Sequence, residues 1–165
     1  MWTVVKFDKK NLGLLKIDLN KNLGEDLITY SPKLRIQRYK NNRLINKEVS
    51  LMGDYLFCYH KNFSNLKQFS NLKFLRGLKY FLEGHTTAQL EIENFINYCK
   101  NLENEKGYIS KNFFELNINS KYKFQTGPFA EKIFKIIDLQ KNKINILMGN
   151  LKTKVNYKDF LFSPI

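Results

Sequence analysis

The segment Leu51-Met-Gly-Asp-Tyr-Leu-Phe-Cys-Tyr-His60, in the first half of the chain, constrains the fold most. Tyr55 to Tyr59 is an unbroken run of aromatic, aliphatic and thiol side chains, bounded by Gly53-Asp54 and by Lys61-Asn62. A short apolar run with polar borders predicts a central strand covered on both faces. Its period of two puts Tyr55, Phe57 and Tyr59 on one face and Leu56, Cys58 and His60 on the other. One face must pack on the domain's own helices. The three aromatics of the other are either core under a helix or a hydrophobic docking surface.

The flanking patterns supply the rest of an α+β domain. Trp2 to Phe7 reads as a first strand. Leu12, Leu15, Leu19 and Leu23 recur at helical spacing within a helix over 10–23, with Gly24 at the C-cap position. Ile28 to Ser31 begins a second strand that Pro32 interrupts. Lys33 to Tyr39 and Leu44 to Val49 flank Lys40-Asn41-Asn42-Arg43. Asparagine tolerates the left-handed turn conformation, so this predicts a β-hairpin with a basic tip. Phe63, Leu66 and Phe69 are expected to point inward from a short helical turn. Gly77 to Leu82 reads as a further strand. Thr86-Thr-Ala-Gln89 has the spacing of a capping box, ahead of a helical stripe of Ile92, Phe95, Ile96, Cys99 and Leu102.

Beyond Asn117 the period becomes two and stays there. Tyr122/Phe124, Ile133 to Ile137, Ile144/Ile146/Met148, Val155/Tyr157 and Phe160/Phe162 form five short strand patterns, joined by turns such as Gly149-Asn150. Strands this short and closely spaced predict a five-stranded β-barrel of the SH3 type. The expected division is therefore 1–105 as an N-terminal α+β domain, a mostly antiparallel sheet flanked by helices. Residues 106–117 form a linker, on which Phe113, Phe114 and Leu116 are candidates to pack against a domain, and 118–165 form the small barrel.

Charge and composition limit function. The chain has 165 residues and a formal net charge of +13, which favours a polyanionic neighbourhood. Three of its four arginines, Arg35, Arg38 and Arg43, lie in the hairpin with Lys33, Lys40 and Lys47 and no acid between 33 and 47. Residues 106–165 carry 11 lysines against 4 acids. No stretch approaches the ~20 apolar residues of a membrane helix, and the N-terminus lacks a signal-peptide pattern. Cys58 and Cys99 sit in apolar patterns and are expected as buried free thiols of a reducing cytosol. His60 and His85 have no Cys or carboxylate at ligand spacing, no glycine-rich phosphate loop is present, and no nucleophile–base grouping stands out. The expectation is a binding protein, not an enzyme. It has no cofactor, metal or catalytic residue, makes no membrane contact, is monomeric and is cytoplasmic.

Four stretches together resemble the NusG family of transcription elongation factors, including its antitermination paralogues of the RfaH kind. Trp2-Thr-Val-Val5 resembles the family's opening strand, and Leu51 to Cys58 resembles its Leu-Phe-Pro-Gly-Tyr-Val-Phe-Val strand. Arg76-Gly-Leu-Lys-Tyr-Phe-Leu-Glu-Gly84 resembles the segment before its last helix. Gly127-Pro-Phe-Ala130 with Lys141 to Leu147 resembles its C-terminal KOW domain. Gly53-Asp54 in place of Pro-Gly, Asn42 in place of a tip glycine, and Ile133-Phe134 where the KOW motif has a glycine depart from the pattern, which points to a specialised paralogue. The resemblance implies RNA polymerase binding, at the clamp helices of its β′ subunit, through Val4, Lys6, Met52, Tyr55 and Phe57. It implies contact of Arg35, Arg38, Lys40 and Arg43 with upstream duplex or non-template DNA; a solvated, lysine-rich hairpin is the other reading. It also implies a second partner for the KOW domain, a ribosomal protein or the termination factor Rho. The alternative is an RNA-binding, ribosome-associated KOW protein acting in translation.

Overall fold

The structure, a computed structural model, describes residues 1–109 and 116–165, with the side chains of residues 66–68 excepted. The expected positions of Phe113, Phe114 and the Leu66 side chain lie outside the described residues. Along the chain the elements are β1 (Trp2–Phe7), α1 (Leu12–Leu23), β2 (Ile28–Tyr30), β3 (Lys33–Lys40), β4 (Arg43–Ser50), β5 (Tyr55–Tyr59), α2 (Leu66–Asn71) and β6 (Leu78–Phe81). There follow α3 (Gln89–Leu102), β7 (Tyr108–Ile109), β8 (Lys121–Phe124), β9 (Ile133–Leu139), β10 (Lys143–Met148), β11 (Leu151–Asn156) and β12 (Phe162–Pro164). Strands and a few helices thus make a mixed α+β chain. It divides into two compact units, residues 1–32 with 50–101, and residues 33–49 with 102–165.

The first unit is built on a four-stranded antiparallel sheet in the order β2-β5-β1-β6. The central strand is β5, as its unbroken apolar run predicts, and it pairs with β1 from Trp2↔Tyr59 to Lys6↔Tyr55. Both its faces are covered. On one, Leu56 and Cys58 join Val5 and Phe7 of β1, Leu15 and Leu19 of α1, Phe63 and Leu72. On the other, Phe57 joins Trp2, Val4 and Ile96 of α3. Each such fully buried side chain contributes about 1.5–3 kcal/mol relative to exposure.

The leucine stripe of α1 behaves as its spacing predicts. Leu15 and Leu19 are fully buried, and Leu12 and Leu23 pack at their edges. The helix proper begins at Leu12, two residues later than the periodicity suggests. Asp8 caps a 3-10 turn over Lys9–Asn11 instead, accepting from the Lys10 N–H at 3.2 Å. Gly24, at a φ of 84°, closes the other end through its N–H to Asn20 O at 2.8 Å. The loop before β6 is fastened to this helix by Arg76, which forks onto Asp18 with Nε to Oδ2 at 2.8 Å and Nη2 to Oδ1 at 2.6 Å.

The Thr86–Gln89 capping box does not form as the spacing predicts. The Gln89 side chain donates back to His85 O at 2.5 Å and also pairs with the backbone of Trp2 on β1. Trp2 N–H donates to Gln89 Oε1 at 2.8 Å, and Gln89 Nε2 donates to Trp2 O at 2.8 Å. The turn is held by Thr87 and Ala88, whose N–H groups donate to Gly84 O.

The second unit holds two sheets. Strands β8 to β12 form five antiparallel strands in the order β11-β10-β9-β8-β12 over a core of Phe124, Phe134, Ile136, Ile144 and Ile146. The five strand patterns of the sequence are all present. Their pairing is an open order: among the described residues no ladder joins β11 to β12, so the five strands of the expected SH3-type barrel are present without a closed sheet. The other sheet is the hairpin β3–β4 extended by β7, which lies parallel to the start of β3.

The hairpin, expected within the N-terminal domain, groups with the C-terminal strands for a stated reason. Its backbone finds partners there. Gln37 N–H donates to Gln125 O at 2.6 Å, and Tyr39 N–H to Glu131 Oε2 at 3.0 Å. The Tyr39 hydroxyl donates to Pro128 O at 3.2 Å. An exposed strand edge has unpaired N–H groups, and these bonds satisfy two of them.

Candidate functional site

The second face of the first unit's sheet is incompletely covered. α3 crosses it, and Ile96 and Phe95 pack on Phe57, the two rings 5.6 Å apart. Toward Met52 and Tyr55 the helix leaves an open depression of about 320 Å3. Val4 and Phe57, 5% and 4% exposed, form its buried floor. Half-buried Met52, Tyr55, Ile92 and Phe95 line it with Leu82, and Glu91 is its one charged lining residue.

Four of the five residues expected to bind a partner, Val4, Met52, Tyr55 and Phe57, therefore come together in one depression. Lys6 is not part of the lining. Its ammonium lies 4.2 Å from the Tyr55 ring centroid and 3.8 Å from Asp54. Asp54 also pairs with Lys9 at 3.0 Å, and that contact holds its carboxyl below the usual range. The Tyr55 hydroxyl lies 3.3 Å from that of Tyr80, whose ionisation the contact pushes upward. Tyr59, third on the aromatic face, packs on Trp2 at 5.2 Å and stands apart from the depression. Phe57 is thus core under a helix, while Met52 and Tyr55 meet solvent. The periodicity marked Ile92 and Phe95 as core, but nothing in the sequence placed Leu82 or Glu91 there.

The basic hairpin turns at Asn41 and Asn42, with φ of 50° and 59°. Two consecutive left-handed residues make the type I′ turn that matches strand twist. Arg35, Arg38, Lys40 and Arg43 are all exposed. They do not form one patch. Period two sets Arg35 on the face of β3 that carries Gln37, and sets Arg38 and Lys40 on the opposite face. Lys40 and Arg43 flank the turn, so like charges meet across it, an arrangement that a polyanion relieves.

Among the described residues no group of three His, Cys, Asp or Glu is placed to hold a metal ion. His60 is buried, with Nδ1 accepting the Asn62 N–H at 3.1 Å. His85 stacks on Phe69 at 5.2 Å. Burial pushes the Cys58 thiol up to about 12, so it stays protonated and inert at neutral pH. No helix among the described residues is long and apolar enough to cross a membrane.

No family model and no curated protein matches the sequence. Solved structures resemble it, two among them as follows. One is a chain of the MjSpt4:Spt5 complex in conformation B, with 16% identity and a TM-score of 0.31, covering 100% of this chain and 98% of that one. The other is Thermotoga maritima NusG, in a structure of its domain interaction, with 14% identity and a TM-score of 0.37, covering 96% of this chain and 94% of that one. At these TM-scores the likeness carries neither fold nor function, which rest on the residues themselves.

Proposed function

We propose that this protein is a non-enzymatic transcription elongation or antitermination factor of the NusG kind. It binds RNA polymerase, at the β′ clamp helices, through the depression on the first unit. The observation that carries the reading is the convergence of Val4, Met52, Tyr55 and Phe57 on one open apolar depression. These are residues that the sequence resemblance assigns to polymerase contact. An apolar depression with aromatic walls suits an amphipathic helix laid into it, and such anchors concentrate binding energy, about 2 kcal/mol or more each. In this reading the exposed hairpin cations touch phosphates of upstream or non-template DNA, a salt-sensitive contact of low sequence specificity. The C-terminal strands act as a KOW-like domain that takes a second protein partner, such as a ribosomal protein or Rho. The factor acts as a cytoplasmic monomer.

The test is binding of the full-length protein to purified bacterial core RNA polymerase, beside Met52→Ala/Tyr55→Ala. Both residues are half-buried, so the double variant is expected to fold, which circular dichroism checks. Tight wild-type binding weakened about thirtyfold or more in the folded variant supports the reading. No binding by the wild-type protein sinks it, and binding to purified ribosomal RNA in its place favours the translation reading.

A further inference from the structure

The depression of the first unit is apolar at its floor, but its two sides carry opposite charge. The strand register lays this out in rows. On the face that α3 crosses, Phe57, Val4 and Leu82 form one row: Val4 pairs with Phe57, and the Leu82 N–H donates to Val4 O at 2.8 Å. Two residues along the strands, about 7 Å away, Tyr55, Lys6 and Tyr80 form the next row, through the pairs Lys6↔Tyr55 and Lys6↔Tyr80. The first row belongs to the floor. The second lies on the side that α3 leaves open, and a lysine stands at its centre. The other β1 positions on this face, Trp2 and Val4, are apolar and buried.

Lys6 belongs to a cluster. Its ammonium lies over the Tyr55 ring at 4.2 Å and reaches Asp54 at 3.8 Å, while Lys9 pairs with the same carboxylate at 3.0 Å. Lys9 above all, with Lys6 and Lys79 adding their charge, holds the Asp54 carboxyl below its usual range. Three cations thus gather about one carboxylate and leave the Tyr55 side positive. At the α3 wall the sign reverses. Glu91, in the first turn of α3, is the one charged residue of the lining, and it is exposed. Among the described residues no ion pair or hydrogen bond takes up its carboxylate.

An apolar stripe by itself does not choose a direction. An amphipathic helix turned end for end in the depression buries the same kind of surface, and the turn exchanges its flanks as well as its ends. Opposite charges on the two sides of the depression remove that degeneracy. One orientation brings unlike charges together, and the reverse brings like charges together, which is how charged rims discriminate between modes of docking. We infer that the charge polarity of the depression fixes the direction of the docked helix: the partner brings acidic side chains to Lys6, Lys9 and Lys79, and a basic side chain to Glu91. The inference rests on the polymerase reading of this depression and adds to it the charge pattern that the partner helix must carry. Lys6 and Glu91 then act in specificity, while Met52 and Tyr55 supply the apolar contact.

Binding of the full-length protein to purified bacterial core RNA polymerase tests it, with the variants Glu91→Lys, Glu91→Gln and Lys79→Glu, and with Lys16→Glu on the exposed side of α1 as control. The formal net charge of +13 makes Glu91→Lys the discriminating variant. General attraction of a basic protein to a polyanion predicts tighter binding when a further positive charge is added. The docking polarity predicts the opposite, a loss of about tenfold, with Glu91→Gln in between. Lys79→Glu and Lys16→Glu change the net charge equally, and Lys79→Glu is expected to lose about threefold more. All three substituted positions are exposed, so the variants are expected to fold, which thermal unfolding checks. Binding of folded Glu91→Lys as tight as wild type, or tighter, overturns the inference, as does a Lys79→Glu loss no larger than that of Lys16→Glu. Either result beside a weakened Met52→Ala/Tyr55→Ala leaves the apolar docking in place. Absence of wild-type binding overturns both.

Discussion

Phe57 and Tyr55 lie two residues apart on one face of β5 and differ in how much water they meet. Phe57 is 4% exposed, wedged between Val4 and the α3 residues Phe95 and Ile96. Tyr55 is half-buried, with Lys6 over its ring and its hydroxyl against Tyr80. Phe57→Ala is accordingly expected to lower the unfolding free energy by about 3–5 kcal/mol in urea denaturation, a large part of a typical domain's stability. Met52→Ala, at a site already open to solvent, is expected to cost clearly less. Equal losses would mean that the depression is closed in solution. The direction of each side chain was legible in the sequence, because a strand alternates strictly. What covers each face was not: periodicity points a residue at one side of a sheet and is silent about which element lies there. For the same reason α3 was legible as a helix with a buried stripe, while its role as one wall of the depression was not.

At the scale of elements, Gln89 shows how a long-range partner overrides a local signal. The Thr-x-x-Gln spacing before α3 satisfies the rule for a capping box. β6 ends at Phe81, and Leu82 N–H still donates to Val4 O, which leaves the outer edge of β1 at Trp2 without a strand. The Gln89 carboxamide, a donor and acceptor side by side, takes that strand's place. A sequence rule for caps counts only neighbours along the chain, and so missed this use. Gln89→Ala is expected to destabilise the protein by about 1–3 kcal/mol, because the Trp2 backbone is left unpaired in a part-buried position. Amide hydrogen exchange at Trp2 should quicken by more than at Val5, deep in the same strand. Uniform acceleration along β1 would show instead that the substitution loosens the whole sheet. The hairpin illustrates the opposite case. Asn41-Asn42 specified the turn from local chemistry alone, and the turn formed as expected.

Over the whole molecule, acid sensitivity follows from how the carboxylates are paired. The Arg76 fork on Asp18 holds its carboxyl down to about 2, from an ordinary value of 3.8. A depressed folded-state value means that the pair's stabilisation is fully present above 3.8 and is lost as pH falls toward about 2. Arg76→Ala should therefore be less stable than wild type near neutrality, and the difference should shrink through that window. Urea midpoints measured at several pH values check this, and a difference constant with pH would remove Asp18 from the account. Lys9 on Asp54 and Lys33 on Glu48 depress those carboxyls in the same sense. The strand count of the second unit was legible from its sustained period of two. The grouping of the hairpin with that unit was not, because the residues it bonds, Gln125 and Glu131, stand more than eighty positions away.

That grouping has a consequence in the order of synthesis. The chain passes between its two units three times, at 32–33, 49–50 and 101–102. The hairpin is therefore translated well before β7 and β8, beside which it finishes its hydrogen bonding. At the usual pace of a ribosome, about 5–20 residues per second, the wait before β8 is made is on the order of 4–14 s. For that interval the nascent chain carries a basic ribbon of two strands, marginal by itself, with the outward N–H groups of Gln37 and Tyr39 bare. The first unit, complete at residue 101, can fold while the ribbon is still searching for the strands that will hold it.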